Sequence, residues 1–366
     1  MRVQLHRLSM AHPGDVSGLK GLVESGQVDP GKIVATIGKT EGNGGANDFT
    51  RALATTNFSN YLATVRGQSP EQVAEEIAFV WSGGCEGVLS PHVTVFTRDD
   101  DAPASPDGQK RLAISVQRTR DFLPEEVGRM AEVNEVADAV RRALDELGSE
   151  REDVHYVQVK GPLLTPAGIA DADARGVQVV TTDPNRSKAY ARGATALGVA
   201  IALGEVDAGR ITDDVIANDM GLYSDVASTS AGGELTSCEV VVFANSLQSS
   251  SDLRIGHATL KDPIDLDGVR SALRNAGLDF ECDPTPDDVT RIAAVFAKAE
   301  APLGGVLRGA RTTMLSDADI NYERHGRAAV GAVIASQTGD PRIFVSGGTE
   351  HQCPPAQAPI SAIVRI

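Results

Sequence analysis

Short apolar runs bounded by turn residues recur along the chain. They read GKIVATIGK (Gly31–Lys39), RLAISVQRT (Arg111–Thr119), VHYVQVK (Val154–Lys160), EVVVFANS (Glu239–Ser246), RIAAVFAK (Arg291–Lys298) and RIFVSGG (Arg342–Gly348). Their length and their Val, Ile and Phe content predict strands. Helical patterns alternate with them. EVNEVADAVRRALDELG (Glu132–Gly148) places apolar residues at i, i+3 and i+4 and ends on glycine, which predicts an amphipathic helix with a glycine cap. ARGATALGVAIALGEV (Ala191–Val206) is apolar almost all round and predicts a buried helix. Strands alternating with helices give an α/β class.

Two stretches break the pattern. TRDDDAPASPDGQKR (Thr97–Arg111) is acidic, proline-rich and aperiodic, and reads as a linker. NSLQSSSDLRIGH (Asn245–His257) is a weaker break. They divide the 366 residues into segments 1–103, 111–247 and 253–366, each near the usual domain size.

One phrase occurs in every segment: Ser82-Gly-Gly-Cys-Glu86, Ser230-Ala-Gly-Gly-Glu234 and Ser346-Gly-Gly-Thr-Glu350. Each is preceded by a strand-like run ending in lysine: Lys39, Lys160 and Lys298. Between lysine and serine stands an arginine that opens a small-residue helix: Arg51, Arg192 and Arg327. A single Ser-Gly-Gly is an ordinary turn, and a single strand-end lysine ordinarily meets solvent. Three copies in the same order imply an internal repeat, and a pseudo-threefold arrangement would bring all three sets to one centre.

Composition narrows the chemistry. The net charge of −16, from 34 Lys and Arg against 50 Asp and Glu, argues against sequence-independent nucleic-acid binding. An anionic ligand would need positive charge concentrated inside an acidic shell. The four cysteines (Cys85, Cys238, Cys282, Cys353) form no CxxC pair and read as free thiols of a reducing compartment. No apolar run has the length of a signal peptide or a membrane span, so the expectation is a cytoplasmic protein with no membrane partner.

A serine followed by two small residues exposes backbone N–H groups, as an oxyanion site requires. The serine needs a base. His92 and His351 lie near two of the motifs, but nothing matches in the middle segment. Lysine accompanies all three, and a neutral lysine can serve as base in a Ser-Lys pair. Three lysines and three arginines around one cavity would lower each other's pKa. A small planar ring bearing carbonyls is the ligand such a site suits.

The chain resembles the cyanuric acid hydrolase and barbiturase family of ring-opening amidohydrolases. The resemblance runs over essentially the whole chain. It is carried by GKTEGNGGANDFTR (Gly38–Arg51), SGGCEGVLSPH (Ser82–His92), TRDFLPEEVGR (Thr119–Arg129), VQVKGPLLTP (Val157–Pro166), TMLSDADIN (Thr313–Asn321) and VSGGTEHQ (Val345–Gln352). It implies three homologous α/β units around a pseudo-threefold axis, one central active site and a homotetramer. It also implies Ser230 as nucleophile with Lys160 as base. Ser82 and Ser346, the N–H groups of Gly83, Ala231 and Gly347, and Arg51, Arg192 and Arg327 would hold the ring oxygens, with Lys39 and Lys298 completing the other two Ser-Lys pairs.

The substrate implied is a cyclic imide. Cyanuric acid is favoured, opened to carboxybiuret and then biuret and CO2. Barbituric acid is the alternative, and a non-catalytic binder of cyclic imides is a reading of a different class. The two rings differ by one N–H against one CH2, and Glu323 in NYERHG (Asn321–Gly326) is the candidate for telling them apart. No cofactor is implied for the chemistry. A structural Mg or Ca is implied at Glu300, Thr349, Gln352, Cys353, Pro354 and Gln357. Here HQCPPAQAP departs from the family's glycine-rich loop, and side chains restrict the φ angles of a carbonyl cage.

Overall fold

A computed structural model describes residues 1–105, 107–313 and 322–366. The first stretch of chain runs β1 (Arg2–Ser9), α1 (Ser17–Glu24), β2 (Ile33–Thr40), α2 (Phe49–Arg66), α3 (Pro70–Glu76), β3 (Ala78–Gly83) and β4 (His92–Asp99). The second repeats the order: β5 (Arg111–Arg118), α4 (Met130–Leu147), β6 (Val154–Pro162), α5 (Pro166–Ala174), α6 (Pro184–Ala202), β7 (Ala227–Gly232) and β8 (Glu239–Ser246). The third runs β9 (Leu253–Leu260), α7 (Leu266–Ala276), α8 (Pro286–Arg291), β10 (Ile292–Ala299), a hairpin of β11 (Val306–Leu307) and β12 (Ala310–Arg311), α9 (Tyr322–Thr338), β13 (Phe344–Gly347) and β14 (Ala358–Arg365).

Each stretch folds into its own four-stranded sheet, in the orders β1-β4-β2-β3, β5-β8-β6-β7 and β9-β14-β10-β13. Within a sheet the second and third strands are parallel and the other pairs antiparallel. Even the irregularity recurs. The second strand of each sheet slips register near its start, at Ile33/Ala35, Val154/Tyr156 and Ile292/Ala294. A bulge twists a strand locally, so the three central strands bend alike.

One apolar cluster takes residues from all three sheets. Phe96 of β4, Phe243 of β8 and Phe296 of β10 meet there, with ring centroids 5.2, 6.1 and 6.3 Å apart. These contacts tie the sheets together along the line on which the site sits.

The expected linker and break are shorter than the sequence suggests. β4 runs to Asp99 and β5 starts at Arg111, so strand takes up both ends of Thr97–Arg111. Within Asn245–His257 only residues 247–252 lie outside β8 and β9. The helix expected from Glu132 starts two residues earlier and is capped by Gly148 at φ 54°, where a left-handed backbone favours glycine. Arg51 stands in the first turn of α2, but the other two arginines do not open their helices. α6 begins at Pro184, eight residues before Arg192, and α9 begins at Tyr322, five before Arg327. All four cysteines are free thiols. Among the described residues no helix is long and apolar enough to cross a membrane.

Candidate active site

The parallel strand pairs set the geometry. Their register places Lys39 beside Ser82, Lys160 beside Ser230 and Lys298 beside Ser346. Neighbours across a strand pair project from the same face, so the Lys-Ser spacings, which differ in length along the chain, become equivalent in space. The lysines do not meet solvent: Lys39, Lys160 and Lys298 are 2, 2 and 0 % exposed.

The glutamate that ends each motif is its counter-ion, and it links one repeat to another. Glu86 lies 3.0 Å from Lys39 Nζ and takes a hydrogen bond from Arg327 Nε. Glu234 lies 3.2 Å from Lys160 Nζ and 3.4 Å from Arg51 Nε. Glu350 takes two hydrogen bonds from Arg192, at 2.6 and 2.7 Å. Each arginine therefore pairs with the glutamate of a different repeat, and the three pairings close a ring. The sequence displayed these glutamates in all three motifs, but no role was assigned to them.

The motif glycines follow from this. A Cβ at Gly84 would lie 2.0 Å from the Glu86 carboxylate, and one at Gly232 would lie 2.3 Å from that of Glu234. At Gly348 (φ 81°) it would lie 2.4 Å from the guanidinium carbon of Arg192. The third position must be glycine because the ion pair folds back over it. The second position is freer in the middle repeat, which carries Ala231.

Burial is the first cause of the low lysine pKa values, and an arginine rather than another lysine is the positive neighbour. Burial, opposed by Glu86 and aided by Arg327, brings Lys39 to about 8. Burial and Arg192 bring Lys298 to about 7. Burial and Arg51 lower Lys160 against the pull of Glu234.

The three Lys-Ser pairs are alike in backbone and unlike in hydrogen bonding. Ser82 Oγ donates to Val345 O at 2.9 Å, while Lys39 Nζ donates to Ser82 Oγ at 3.5 Å and to Val345 O at 3.4 Å. The Ser82 proton thus points away from Lys39. Lys298 Nζ donates to Thr229 O at 2.6 Å and to Gly347 O at 3.0 Å. The Oγ atoms of Ser230 and Ser346 are buried and have no hydrogen-bond partner among the described residues.

A cavity of about 50 Å³ lies between these groups. The three serines and the three arginines line it, as do Gly83, Ala231 and Gly347. Of the three lysines it is Lys160 that reaches its wall. Glu323, 3.6 Å from Arg327, lines it as well. A wider vestibule of about 570 Å³ shares Gly44, Lys188, Arg192, Glu323 and Arg327 with it. Met314–Asn321, which hold most of the TMLSDADIN motif and the first residue of NYERHG, lie outside the described residues.

The two histidines are occupied elsewhere. His92 is buried, its ring hydrogen-bonds Ser90 O, and burial lowers its pKa to about 4. His351 bonds Leu222 O through Nδ1 and accepts from Ala217 N through Nε2.

The expected metal loop joins β13 to β14. Thr349 donates to the Glu300 carboxylate at 2.5 Å. Burial, with Glu350 nearby, raises the Glu300 pKa. His351, Cys353 and Ala356 hold φ of 58, 65 and 66° without being glycine, so HQCPPAQAP turns despite its side chains. No cluster of three or more His, Cys, Asp or Glu suited to a metal occurs among the described residues. The Gln352 side chain is committed to Thr229 N and to the carbonyls of Gly348 and Glu350. A cation here would rest on Glu300 and backbone carbonyls, a hard-oxygen set that fits Mg or Ca.

A family model described as "Amidohydrolase ring-opening protein" matches residues 4–365. A cyclic amide hydrolase of Azorhizobium caulinodans is 64 % identical over 366 residues, with both chains covered in full. A cyanuric acid amidohydrolase of Enterobacter cloacae is 50 % identical over 368 aligned positions, again with full coverage of both. A solved cyanuric acid hydrolase, described as an evolutionary innovation by structural concatenation, superimposes with a TM-score of 0.92 at 47 % identity, covering 100 % of this chain and 99 % of its own. The chain belongs to the ring-opening amidohydrolase family.

Proposed function

We propose that the protein hydrolyses cyanuric acid, with Ser230 as nucleophile and Lys160 as general base. The observation that carries the assignment is the unpartnered Ser230 Oγ, beside the one lysine of the three that lines the arginine-ringed cavity. Neutral Lys160 takes the Ser230 proton, and Oγ attacks a ring carbonyl carbon. To do so Lys160 turns from Glu234 towards Ser230, and such contacts commonly tighten only when substrate binds. The oxyanion is held by backbone N–H groups in a cavity lined by three arginines. The ring C–N bond breaks, Lys160 returns its proton to the departing nitrogen, and water hydrolyses the acyl-serine to carboxybiuret, which loses CO2 to give biuret.

Ser82, Ser346 and the three arginines would hold the other ring oxygens. Their glutamate partners fix the planar guanidinium forks in place. Incubating the protein with cyanuric acid and with barbituric acid, and following loss of ring absorbance, tests the function. Turnover of barbituric acid alone would change the substrate, and binding of both without turnover would make the protein a binder. Assembly as a homotetramer rests on the family resemblance.

One observation favours a second reading of the dyad. Ser346 Oγ is also unpartnered, and Lys298 has a pKa of about 7. The pH profile separates the two. A lysine base works when neutral, so kcat/KM rises with pH through the lowered pKa and falls as the amine protonates. With Lys160 as base this limb persists in Lys298→Met. If Lys298 is the base, Lys298→Met abolishes turnover and the wild-type limb falls near pH 7.

Glu300 and the carbonyls of Thr349, Gln352, Cys353, Pro354 and Gln357 are proposed to hold a structural divalent cation that offsets the buried carboxylate. Chelation is then expected to lower Tm while saturated kcat stays within about twofold. An unchanged Tm by scanning fluorimetry would remove the cation from this account.

A further inference from the structure

Neutral cyanuric acid shares the threefold symmetry of the inner ring of the site, so one carbonyl is distinguished from the others only once the imide has lost a proton. We infer that Lys188 is a positioning residue that takes the oxygen edge of the anionic imide at the cavity mouth and directs one carbonyl to Ser230. The inference rests on the cyclic-imide reading above and adds to it the charge state that the site selects.

Lys188 stands four residues before Arg192 on α6, so the two share a helix face. It lines both the small cavity and the vestibule, at their junction. The corresponding positions, four before Arg51 and four before Arg327, are Asn47 and Glu323. All three line the vestibule. Where the inner ring repeats Lys, Ser, Arg and Glu threefold, this outer ring is neutral, positive and negative. The symmetry of the site is broken at its mouth.

Among the described residues, Lys188 is also the cation lining the small cavity that makes no salt bridge. Arg51, Arg192, Arg327 and Lys160 each lie against a motif glutamate. Lys188 makes no salt bridge or hydrogen bond with a described residue, and it is half-buried. A half-buried ammonium without a partner is costly, and an anionic ligand relieves that cost. A cyclic imide suits it: an N–H between two carbonyls is acidic, and its anion spreads charge onto the flanking oxygens.

The test uses Lys188→Met and Lys188→Arg of the full chain. Lys188→Met is expected to raise KM about tenfold, with kcat falling less than threefold. Lys188→Arg should recover most of that KM. Sodium chloride should raise the wild-type KM but hardly that of Lys188→Met, because it screens the attraction the variant lacks. A wild-type KM and salt response in Lys188→Met would overturn the inference. So would a kcat loss at constant KM shared by both variants, which marks a structural role. If the wild-type protein turns over neither ring, the substrate reading itself has failed; if it turns one over and Lys188→Met matches it, the Lys188 role alone has failed.

Discussion

Ser230→Ala is expected to lower kcat about 10⁴-fold or more, with Ser346→Ala and Ser82→Ala losing less than about 100-fold, partly through KM. The asymmetry follows from hydrogen bonding, since the three backbones are equivalent. Ser82 donates its O–H to the Val345 carbonyl in a hydrogen bond, so its lone pairs face Lys39 and its O–H does not. Lys39 and Lys298 also spend donors on backbone carbonyls of other repeats, which ties their amines to the backbone. Lys160 keeps Glu234 as its close partner and reaches the cavity wall. Because a nucleophile and its base act as a unit, Lys160→Met should cost nearly as much as Ser230→Ala, and the double variant little more. Ring-absorbance kinetics on the four variants check this. A Ser346→Ala enzyme that is dead beside a Ser230→Ala enzyme within tenfold of wild type would transfer the chemistry to the third repeat.

The strands β2, β6 and β10 were legible because they are buried on both faces and read as mainly apolar runs that carry a lysine near their end. The edge strands β1 and β9 were missed. RVQLHRLS and LRIGHATL mix His and Arg with apolar residues, so neither reads as an apolar run. β9 was assigned in part to a break for the same reason. The Ser, Lys and Arg positions could be found because repetition multiplies a weak signal. The glutamates repeated just as clearly and were passed over, since a carboxylate four residues after a serine implies nothing until another repeat's arginine arrives beside it. The cross-repeat pairing of Arg51 with Glu234, Arg192 with Glu350 and Arg327 with Glu86 is a property of the assembled ring. Lys188 was invisible for the opposite reason: its counterparts Asn47 and Glu323 differ from it, so a search for repeats passes over it.

Glu86→Gln is expected to cost about 3–5 kcal/mol of stability, the range for removing one partner of a buried ion pair. Its carboxylate is 1 % exposed, and the facing Lys39 and Arg327 side chains are 3 and 4 % exposed. Glutamine keeps the shape and removes the charge, leaving two buried cations. Lys39, already at about 8 because of burial, can shed its proton. Arg327 cannot, and it keeps only the longer contact to the more exposed Glu323 at 3.6 Å, so most of the penalty falls on it. The sign with pH follows. In the wild type Glu86 has a lowered pKa: burial opposes the shift, and Lys39 and Arg327 produce it. Its contribution is full above the ordinary glutamate pKa and is lost as pH falls through the folded value. In Glu86→Gln that acid-side loss is absent. The alkaline-side dependence that Lys39 already gives the wild type grows, because without Glu86 its folded pKa falls further below the unfolded one, so the variant gains more stability as pH rises from neutral towards the unfolded lysine pKa. Denaturant midpoints at pH 7 and 9 check both the size and the slope. Glu234→Gln is the control: Glu234 is 23 % exposed, so water can solvate the cations it leaves and the stability loss should be smaller. Equal losses in the two variants, or no recovery of Glu86→Gln at pH 9, would show that the glutamates do not hold the ring of repeats together by charge.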